Sequence, residues 1–269
     1  MKTQVEEKFS DFFQKWFCQL EENLQHLLKV PREACHDQSN YEALVSKLTA
    51  HHKAYYTAKW AAAHDDVLAF FSPVWLSSLE NAYLWVTGWK PSMMFRLVDS
   101  LRQTGVPGAS LAGLSEEQLK RIEELRVKIR LEEEKVEREM ERQQVAMADP
   151  RMVELARLAT RVKDGNSEVS QVDELVKVAL KSLLAGLERE MKMADCVRLK
   201  TLKGVLDVLS PLQCVDFLAA TSMHQIQLSK WGKKRENRRR HENENCATLD
   251  FRKLDGKRNR CDALTLRFV

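Results

Sequence analysis

Apolar residues recur at steps of three and four along most of this chain, and few residues interrupt the pattern. Only 9 Gly and 6 Pro occur among the 269 residues, so breaks between helical segments are rare. The pattern is clearest near the N-terminus, at Phe9, Phe12, Phe13, Trp16, Phe17, Leu20, Leu24, Leu27 and Leu28. A period of three to four residues places side chains on one face of an α-helix. The chain is therefore predicted to be all-α, a helical bundle of long antiparallel helices.

Helix-breaking residues and capping signals divide the chain into segments. The expected helices cover roughly 6–29, 41–71, 77–87, 92–102, 115–148, 150–162, 172–209 and 210–231. Ser115, followed three residues later by Gln118, is typical of a capping box, and Ser92 is a second candidate cap. Segments 105–108 and 163–167 are predicted loops, because Gly, Pro or polar residues dominate them. No alternating strand pattern of useful length is found.

The positive charge of the chain is concentrated at its C-terminal end. Residues 230–269 contain 13 Lys and Arg against 6 Asp and Glu, whereas the rest of the chain carries a net charge of −3. We therefore predict a helical domain over residues 6–229 and a basic, largely disordered tail over residues 230–269. A nucleic-acid footprint spread over the domain itself is not indicated.

Six cations of the tail form two clusters, which are Lys233, Lys234 and Arg235, then Arg238, Arg239 and Arg240. Their spacing is typical of a nuclear-import signal. The same charges would neutralise DNA phosphates and give weak, salt-sensitive binding without sequence readout. A solvated helix end with cations near its C-terminal dipole is the third interpretation. We expect a nuclear protein, with the cytoplasm as a second location.

Patterns of common catalytic and metal sites do not occur. The chain has no phosphate-binding loop, dinucleotide-binding motif, nucleophile elbow or H-E-x-x-H motif. Its six cysteines include no C-x-x-C pair, and the adjacent His51 and His52 would point about 100° apart on a helix. No apolar run approaches the ~20 residues of a membrane span. We expect a protein with no catalytic residues, no metal site and no membrane association.

Three blocks of the sequence resemble one family. They cover 70–98, 114–135 and 194–240, and include the runs FFSPVWLSSLENAYLWVTGWKPSMMFRLV and ADCVRLKTLKGVLDVLSPLQCVDFL. In order and spacing they are similar to the delay-of-germination domain, which TGA-type bZIP factors also carry. No basic region followed by Leu heptads precedes the match, so the chain resembles the stand-alone branch. The resemblance implies a plant regulatory protein of seed dormancy, abscisic-acid signalling or a related process such as pollen development.

The resemblance also implies partners and a cofactor. Type 2C protein phosphatases are partners in that branch, and a homodimer is also considered. The dormancy regulator of the family is associated with haem through a histidine pair in its last helix. The matching positions here are Gln225 and Ser229, and His224 lies one residue away from the first of them. His224 is therefore the haem candidate of one alternative interpretation, a haem-binding sensor.

Four residues of the first block are candidates for partner binding. Trp75 and Trp85 are interpreted either as docking side chains, because aromatic residues are enriched at binding hot spots, or as packing of the bundle. Glu80 and Asn81 are candidates for partner contact or for capping neighbouring helices. Another alternative function is a sequence-specific DNA-binding regulator that resembles TGA factors without the bZIP segment, although no array for major-groove readout is located.

Overall fold

The computed structural model describes residues 2–31, 38–105, 109–161 and 167–265, with side chains described at all of these except 161, 167–171 and 243–265. The helices are α1 (Gln4–Leu28), α2 (Gln38–Asp65), α3 (Leu68–Phe71), α4 (Ser78–Ala82), α5 (Met93–Thr104), a 3-10 turn (Ala109–Gly113), α6 (Glu116–Ala146), α7 (Pro150–Arg161), α8 (Ser167–Val208) and α9 (Pro211–Thr265). No β-strand occurs in these ranges, which confirms the all-α prediction. Nor does any helix there have the length and apolarity to cross a bilayer. Most of the two predicted loops lies outside the described residues.

The aromatic face of α1 forms one wall of the core. A capping box between Thr3 and Glu6 begins this helix, which packs against α2 and α9. The Phe9 ring lies 4.7 Å from the ring centroids of both Phe70 and Trp75. Aromatic rings at such distances contribute both buried area and ring–ring attraction. The apolar face predicted for the first helix is therefore confirmed.

Two of the predicted helices are shorter in the structure. The predicted second helix is divided into α2 and α3, where the carboxylate of Asp66 accepts a hydrogen bond of 3.1 Å from the backbone of Leu68. The predicted third helix ends at Ala82, and a turn follows it. Ser92 begins α5 as expected, but its side chain makes no capping hydrogen bond.

The helices α6 and α8 pack along each other in antiparallel orientation. The predicted capping box begins α6, since Ser115 Oγ accepts from the backbone of Gln118 at 3.2 Å and Gln118 Oε1 accepts in return at 3.0 Å. Gln118 also donates to the carbonyl of Val208 at 3.0 Å. Further along, Lys200 pairs with Glu132 at 2.7 Å. These contacts fix α8 against the rest of the bundle.

The last helix, α9, continues without a break through residue 229, where the basic tail was expected to begin. Lys230 pairs with Glu21 of α1 at 2.8 Å, and Glu236 accepts a hydrogen bond of 2.7 Å from the Ser78 hydroxyl. The two basic clusters thus lie on α9 in the structure. The contacts that hold α9 beyond residue 229 on the bundle are polar. A periodic pattern of apolar residues therefore does not predict this extension of the helix. The disorder predicted beyond Arg240 stays a prediction.

Candidate functional site

A tight turn over residues 85–88 lies at the centre of the first family-like block, residues 70–98, called here the signature segment. The backbone of Trp85 donates to the Gly88 carbonyl at 2.7 Å, and Gly88 donates back at 3.2 Å. Between them, Val86 and Thr87 have φ angles of 39° and 64°, which L-residues rarely adopt. Each such residue costs on the order of 1–3 kcal/mol and persists only where its surroundings impose it.

Arg198 of α8 holds this turn from the inside. Its guanidinium donates to the carbonyls of Trp85, Val86 and Trp89, at 2.8 Å for Val86 and 2.7 Å for Trp89. A fourth bond of 2.6 Å goes to the carboxylate of Asp195. The side chain of Arg198 is only 1% exposed. A planar guanidinium suits this role, because its donors point in several fixed directions at once.

Lys59 of α2 holds the same turn from another side. Its Nζ donates to the carbonyl and hydroxyl oxygens of Thr87, at 3.1 and 2.8 Å, and to Asp195 at 2.9 Å. The second oxygen of Asp195 accepts from the Trp60 indole at 3.0 Å. We call Lys59, Asp195 and Arg198 the buried ionic centre. It joins α2, α8 and the turn, and contains two cations for one anion.

The buried ionic centre predicts a specific dependence of stability on pH. Burial lowers the pKa of Lys59 from 10.5 to about 8, against the opposing attraction of Asp195. Between these two values the unfolded chain holds more protons than the folded chain, so the unfolding free energy rises with pH. Relative to Lys59→Met, we expect the wild type to gain up to about 1.4 kcal/mol per pH unit in this window. Urea unfolding of both proteins at several pH values between 8 and 10.5 measures this gain. A difference in unfolding free energy between wild type and Lys59→Met that stays the same at all these pH values would contradict the prediction.

Two carboxylates of α6 hold the outer side of the signature segment. Glu137 accepts hydrogen bonds from the Trp85 indole at 2.9 Å and from Lys90 at 2.7 Å. Glu133 accepts from the backbone of Ser92 at 2.6 Å, at the position where the sequence predicted a cap by the serine side chain. The segment is therefore fixed from α2, α6 and α8 together.

The candidate residues Trp75 and Trp85 are half-buried, and both pack within the bundle. Trp75 lies 4.7 Å from Phe9 and 5.3 Å from Phe70, measured between ring centroids. The Trp85 ring lies 5.3 Å from the Arg198 guanidinium, close enough for a cation–π interaction. These contacts support the packing interpretation, and a direct contact of either ring with a partner stays a prediction.

Glu80 and Asn81 have local structural roles. Glu80 is buried and accepts from the backbone and hydroxyl of Ser77, at 2.9 and 2.6 Å, in a capping box that begins α4. The Asn81 amide donates to the Pro73 carbonyl at 3.1 Å. Glu80 thus takes part in capping its own helix, whereas Asn81 joins α4 to the segment that precedes it. A contact of either residue with a partner stays a prediction. The most exposed large hydrophobic side chain of the segment is Tyr83, at 73%. Sequence alone does not indicate this residue, because nothing in its spacing distinguishes it.

His224 lies on the exposed side of α9, whereas Gln225 is half-buried and Ser229 is buried. An axial haem ligand must project into a pocket that encloses the porphyrin. The only imidazole at these three positions points to solvent, and the two inward positions carry an amide and a hydroxyl. These residues do not fit a haem group.

The adjacent His51 and His52 lie beside the core rather than in a metal site. The His51 ring stacks on the Trp16 ring at 4.7 Å with an interplanar angle of 3°. Burial lowers the pKa of His52 to about 4, so its imidazole is neutral near pH 7. In the described part of the chain, no group of three or more His, Cys, Asp or Glu residues is arranged to hold a metal ion.

The buried ionic centre was also missed by the sequence analysis. Asp195 and Arg198 are three residues apart on the buried face of α8, beside the apolar Ala194 and Val197. Two charged residues at positions that helical periodicity assigns to the core were the sequence signal that could have indicated a buried ion pair. Lys59 carries no comparable signal, because its partner Asp195 is 136 residues away along the chain.

Comparison with known proteins decides the family. Residues 17–100 match the DOG1 family model, described as seed dormancy control. Over 235 residues the chain is 54% identical to Protein DOG1-like 4 of Arabidopsis thaliana, covering 87% of this chain and 96% of that one. The chain belongs to the DOG1 family. The resemblance predicted from the three sequence blocks is confirmed, and the region matched by the family model contains Lys59 and the turn at 85–88.

Two further relatives show how far the similarity of this DOG1-family chain extends. Protein RESPONSE TO ABA AND SALT 1 of Arabidopsis thaliana is 30% identical over 190 residues, which are 70% of this chain and 77% of that one. The TGACG-sequence-specific DNA-binding protein TGA-2.1 of Nicotiana tabacum is 25% identical over 222 residues, which are 82% of this chain and 45% of that one. The weaker resemblance to TGA factors is thereby confirmed as well.

Proposed function

We propose that this DOG1-family protein is a non-enzymatic regulator of plant development that acts by binding other proteins. The family description of seed dormancy control and the similarity to Protein RESPONSE TO ABA AND SALT 1 support a role in dormancy or abscisic-acid signalling. The observation that carries the binding proposal is an exposed aromatic residue on a fixed backbone. Tyr83 projects from a segment that three helices hold in place.

The proposed partner is a type 2C protein phosphatase, as the family resemblance implies. The exposed residues of the signature segment combine apolar, aromatic, polar and charged side chains, among them Val74, Ser78, Tyr83, Lys90 and Met93. Interfaces commonly have an aromatic or apolar centre within a polar rim. A fixed backbone also reduces the entropy lost on association, which favours a segment of this kind as a docking site.

Tyr83→Ala is expected to weaken binding to a purified type 2C protein phosphatase by about tenfold or more. The reason is that a tyrosine at the centre of an interface contributes about 2 kcal/mol or more, and about 1.4 kcal/mol corresponds to a factor of ten in affinity. The Tyr83 side chain is exposed, so the helicity measured by circular dichroism remains that of the wild type. Isothermal titration calorimetry of the two proteins measures the affinity.

The matched control is Trp231→Ala, which removes an exposed aromatic residue on α9. The neighbouring Gly232 lies against Ser77 of the signature segment, but a rotation of about 100° per helix residue turns Trp231 away from that contact. This variant is expected to bind the phosphatase as the wild type does. Equal affinities for wild type and Tyr83→Ala would overturn the assignment of the surface. Absence of binding by the wild type itself would overturn the phosphatase as partner.

We also propose that the protein acts in the nucleus, with the two basic clusters on α9 as its import signal. Their exposure on the helix leaves them accessible to an import receptor, and the similarity to a DNA-binding protein of tobacco supports the same location. Sequence-specific DNA recognition is not carried over from that relative, since the matched region covers 45% of it.

A further inference from the structure

Beyond residue 229, α9 has one face on the bundle and another in solvent. An added Cβ at Gly232 would lie 2.6 Å from the Cβ of Ser77, so the two backbones are in close contact there. One turn later, Glu236 is bonded to Ser78. Since successive helix residues are rotated by about 100°, Gly232 and Glu236 define the docked face.

The face that points away from the bundle is centred on Trp231. Its side chain is 59% exposed, although tryptophan usually buries most of its area in a folded domain. Lys234 and Arg235 follow at three and four residues, and Arg238 at seven, which is the spacing that places helix residues side by side. All three cations are exposed. We call Trp231, Lys234, Arg235 and Arg238 the outer face of α9.

Where side chains are described, no acidic residue neutralises the cations of the outer face. Lys230 and Lys233 of the same helix turn towards α1, where they contact Glu21 and the Phe17 ring. By contrast, Lys234, Arg235 and Arg238 form no ion pair with any residue for which side chains are described. The nearest acidic residue on the helix, Glu236, is turned to Ser78. The Trp231 ring is therefore followed along α9 by three cations that no described side chain pairs with.

We propose that the outer face of α9 binds single-stranded nucleic acid. The Trp231 ring would stack on an unpaired base, while Lys234, Arg235 and Arg238 contact the neighbouring phosphates. Proteins that bind single strands combine these two elements, a positively charged track and an exposed aromatic platform. The cations lie one and two helical turns from Trp231, about 5 and 10 Å along the axis, a distance that a flexible strand spans with few nucleotides.

Three other occupants fit the outer face less well. A duplex keeps its bases stacked on each other, so it would use the cations but leave Trp231 without a role. A membrane-surface helix presents several apolar residues on its inserted face, whereas Trp231 is the one exposed large apolar residue between 224 and 242 in the described part of the chain. An acidic protein segment would engage the cations but offers no base to stack on the ring.

The test is fluorescence anisotropy of the full chain with a labelled oligothymidylate of about 20 nucleotides, a size that exceeds the common single-strand site. Trp231→Ala is expected to weaken binding by about 5- to 100-fold, since loss of one base–aromatic stack has an effect of that order. Trp231→Phe retains most of the affinity because a ring remains. Tyr83→Ala, which removes an exposed aromatic residue elsewhere, leaves the affinity unchanged.

The triple variant Lys234→Gln, Arg235→Gln and Arg238→Gln tests the phosphate contacts. It is expected to reduce the slope of log affinity against log salt by about 2, since each phosphate contact to a single strand contributes about 0.7. The matched control carries the same change of charge on α6, at the exposed Lys120, Lys128 and Arg130, and is expected to retain the wild-type slope.

Four results would overturn the proposal. They are no binding of the oligothymidylate at low salt, equal binding by wild type and Trp231→Ala, a duplex of the same length bound as tightly as the single strand, and a poly-glutamate peptide bound with the same dependence on Trp231. The last result would identify an acidic protein as the occupant. Because Tyr83 and Trp231 lie on different elements, failure here leaves the phosphatase proposal unaffected.

Discussion

Replacing Arg198 with alanine is expected to lower the unfolding free energy by about 3–5 kcal/mol, the usual cost of breaking a buried ion pair from one side. The substitution removes the donors to three carbonyls of the strained turn and one of the two cations that neutralise Asp195. The free energy of unfolding of a native domain is only about 5–15 kcal/mol in total, so a loss of this size strongly lowers the denaturant concentration at the unfolding midpoint. Denaturant unfolding followed by circular dichroism measures the change.

Two further variants separate the geometry of the guanidinium from its charge. Arg198→Lys keeps the charge but cannot reach three carbonyls at once. We therefore expect its free energy of unfolding to lie between those of the wild type and Arg198→Ala. Lys200→Ala, two residues along α8, breaks an exposed ion pair with Glu132 and is expected to cost less than about 1 kcal/mol. If Arg198→Ala and Lys200→Ala had similar effects, the assignment of the buried ionic centre as the support of the turn would be wrong.

Replacing Gly232 with alanine is expected to lower the unfolding free energy by about 1–3 kcal/mol, the usual cost of overpacking. Within a helix the same substitution usually gains about 0.5–1 kcal/mol, because glycine loses more backbone entropy on folding. Here the new Cβ would lie 2.6 Å from the Cβ of Ser77, whose hydroxyl is held in the capping box of α4. The clash therefore outweighs the entropy, and α9 must move away from α4.

Gly186→Ala on α8 is the matched control for this second prediction. Its added Cβ would lie 2.7 Å from Cδ of Gln143, the far end of a flexible side chain that rotates aside at little cost. We expect this variant to be as stable as the wild type or slightly more stable. Hydrogen exchange gives an independent measurement, since amides of residues 230–242 are expected to exchange faster in Gly232→Ala alone. A stabilised Gly232→Ala would contradict the close packing of α9 on α4.

The helices that pack through apolar faces could be predicted from sequence. Phe9, Trp16 and Leu20 recur at helical spacing, and the structure buries all three in α1. The capping box at Ser115 could likewise be predicted, because its two hydrogen bonds join residues only three positions apart. Both signals are local, and local spacing is what a single sequence displays.

The turn at 85–88 and the extension of α9 could not be predicted in this way. Nothing near Val86 and Thr87 indicates a left-handed backbone, because the groups that impose it belong to Lys59 and Arg198 on other helices. The extension depends on Gly232, where a missing side chain permits contact with Ser77. Both features result from contacts between residues that are distant in sequence. The local sequence around each residue does not indicate which distant residue it will contact.

The long separation within the buried ionic centre has a consequence for synthesis. Trp85 and Arg198 are 113 residues apart, and ribosomes add about 5–20 residues each second. Arg198, the guanidinium partner of the strained turn, is therefore synthesised roughly 6–23 s after the turn itself. During that interval the N-terminal helices can associate, but the signature segment has no means of holding its final backbone. A nascent or truncated chain that ends before α8 is accordingly expected not to bind the proposed partner, and binding would require synthesis to have passed Arg198.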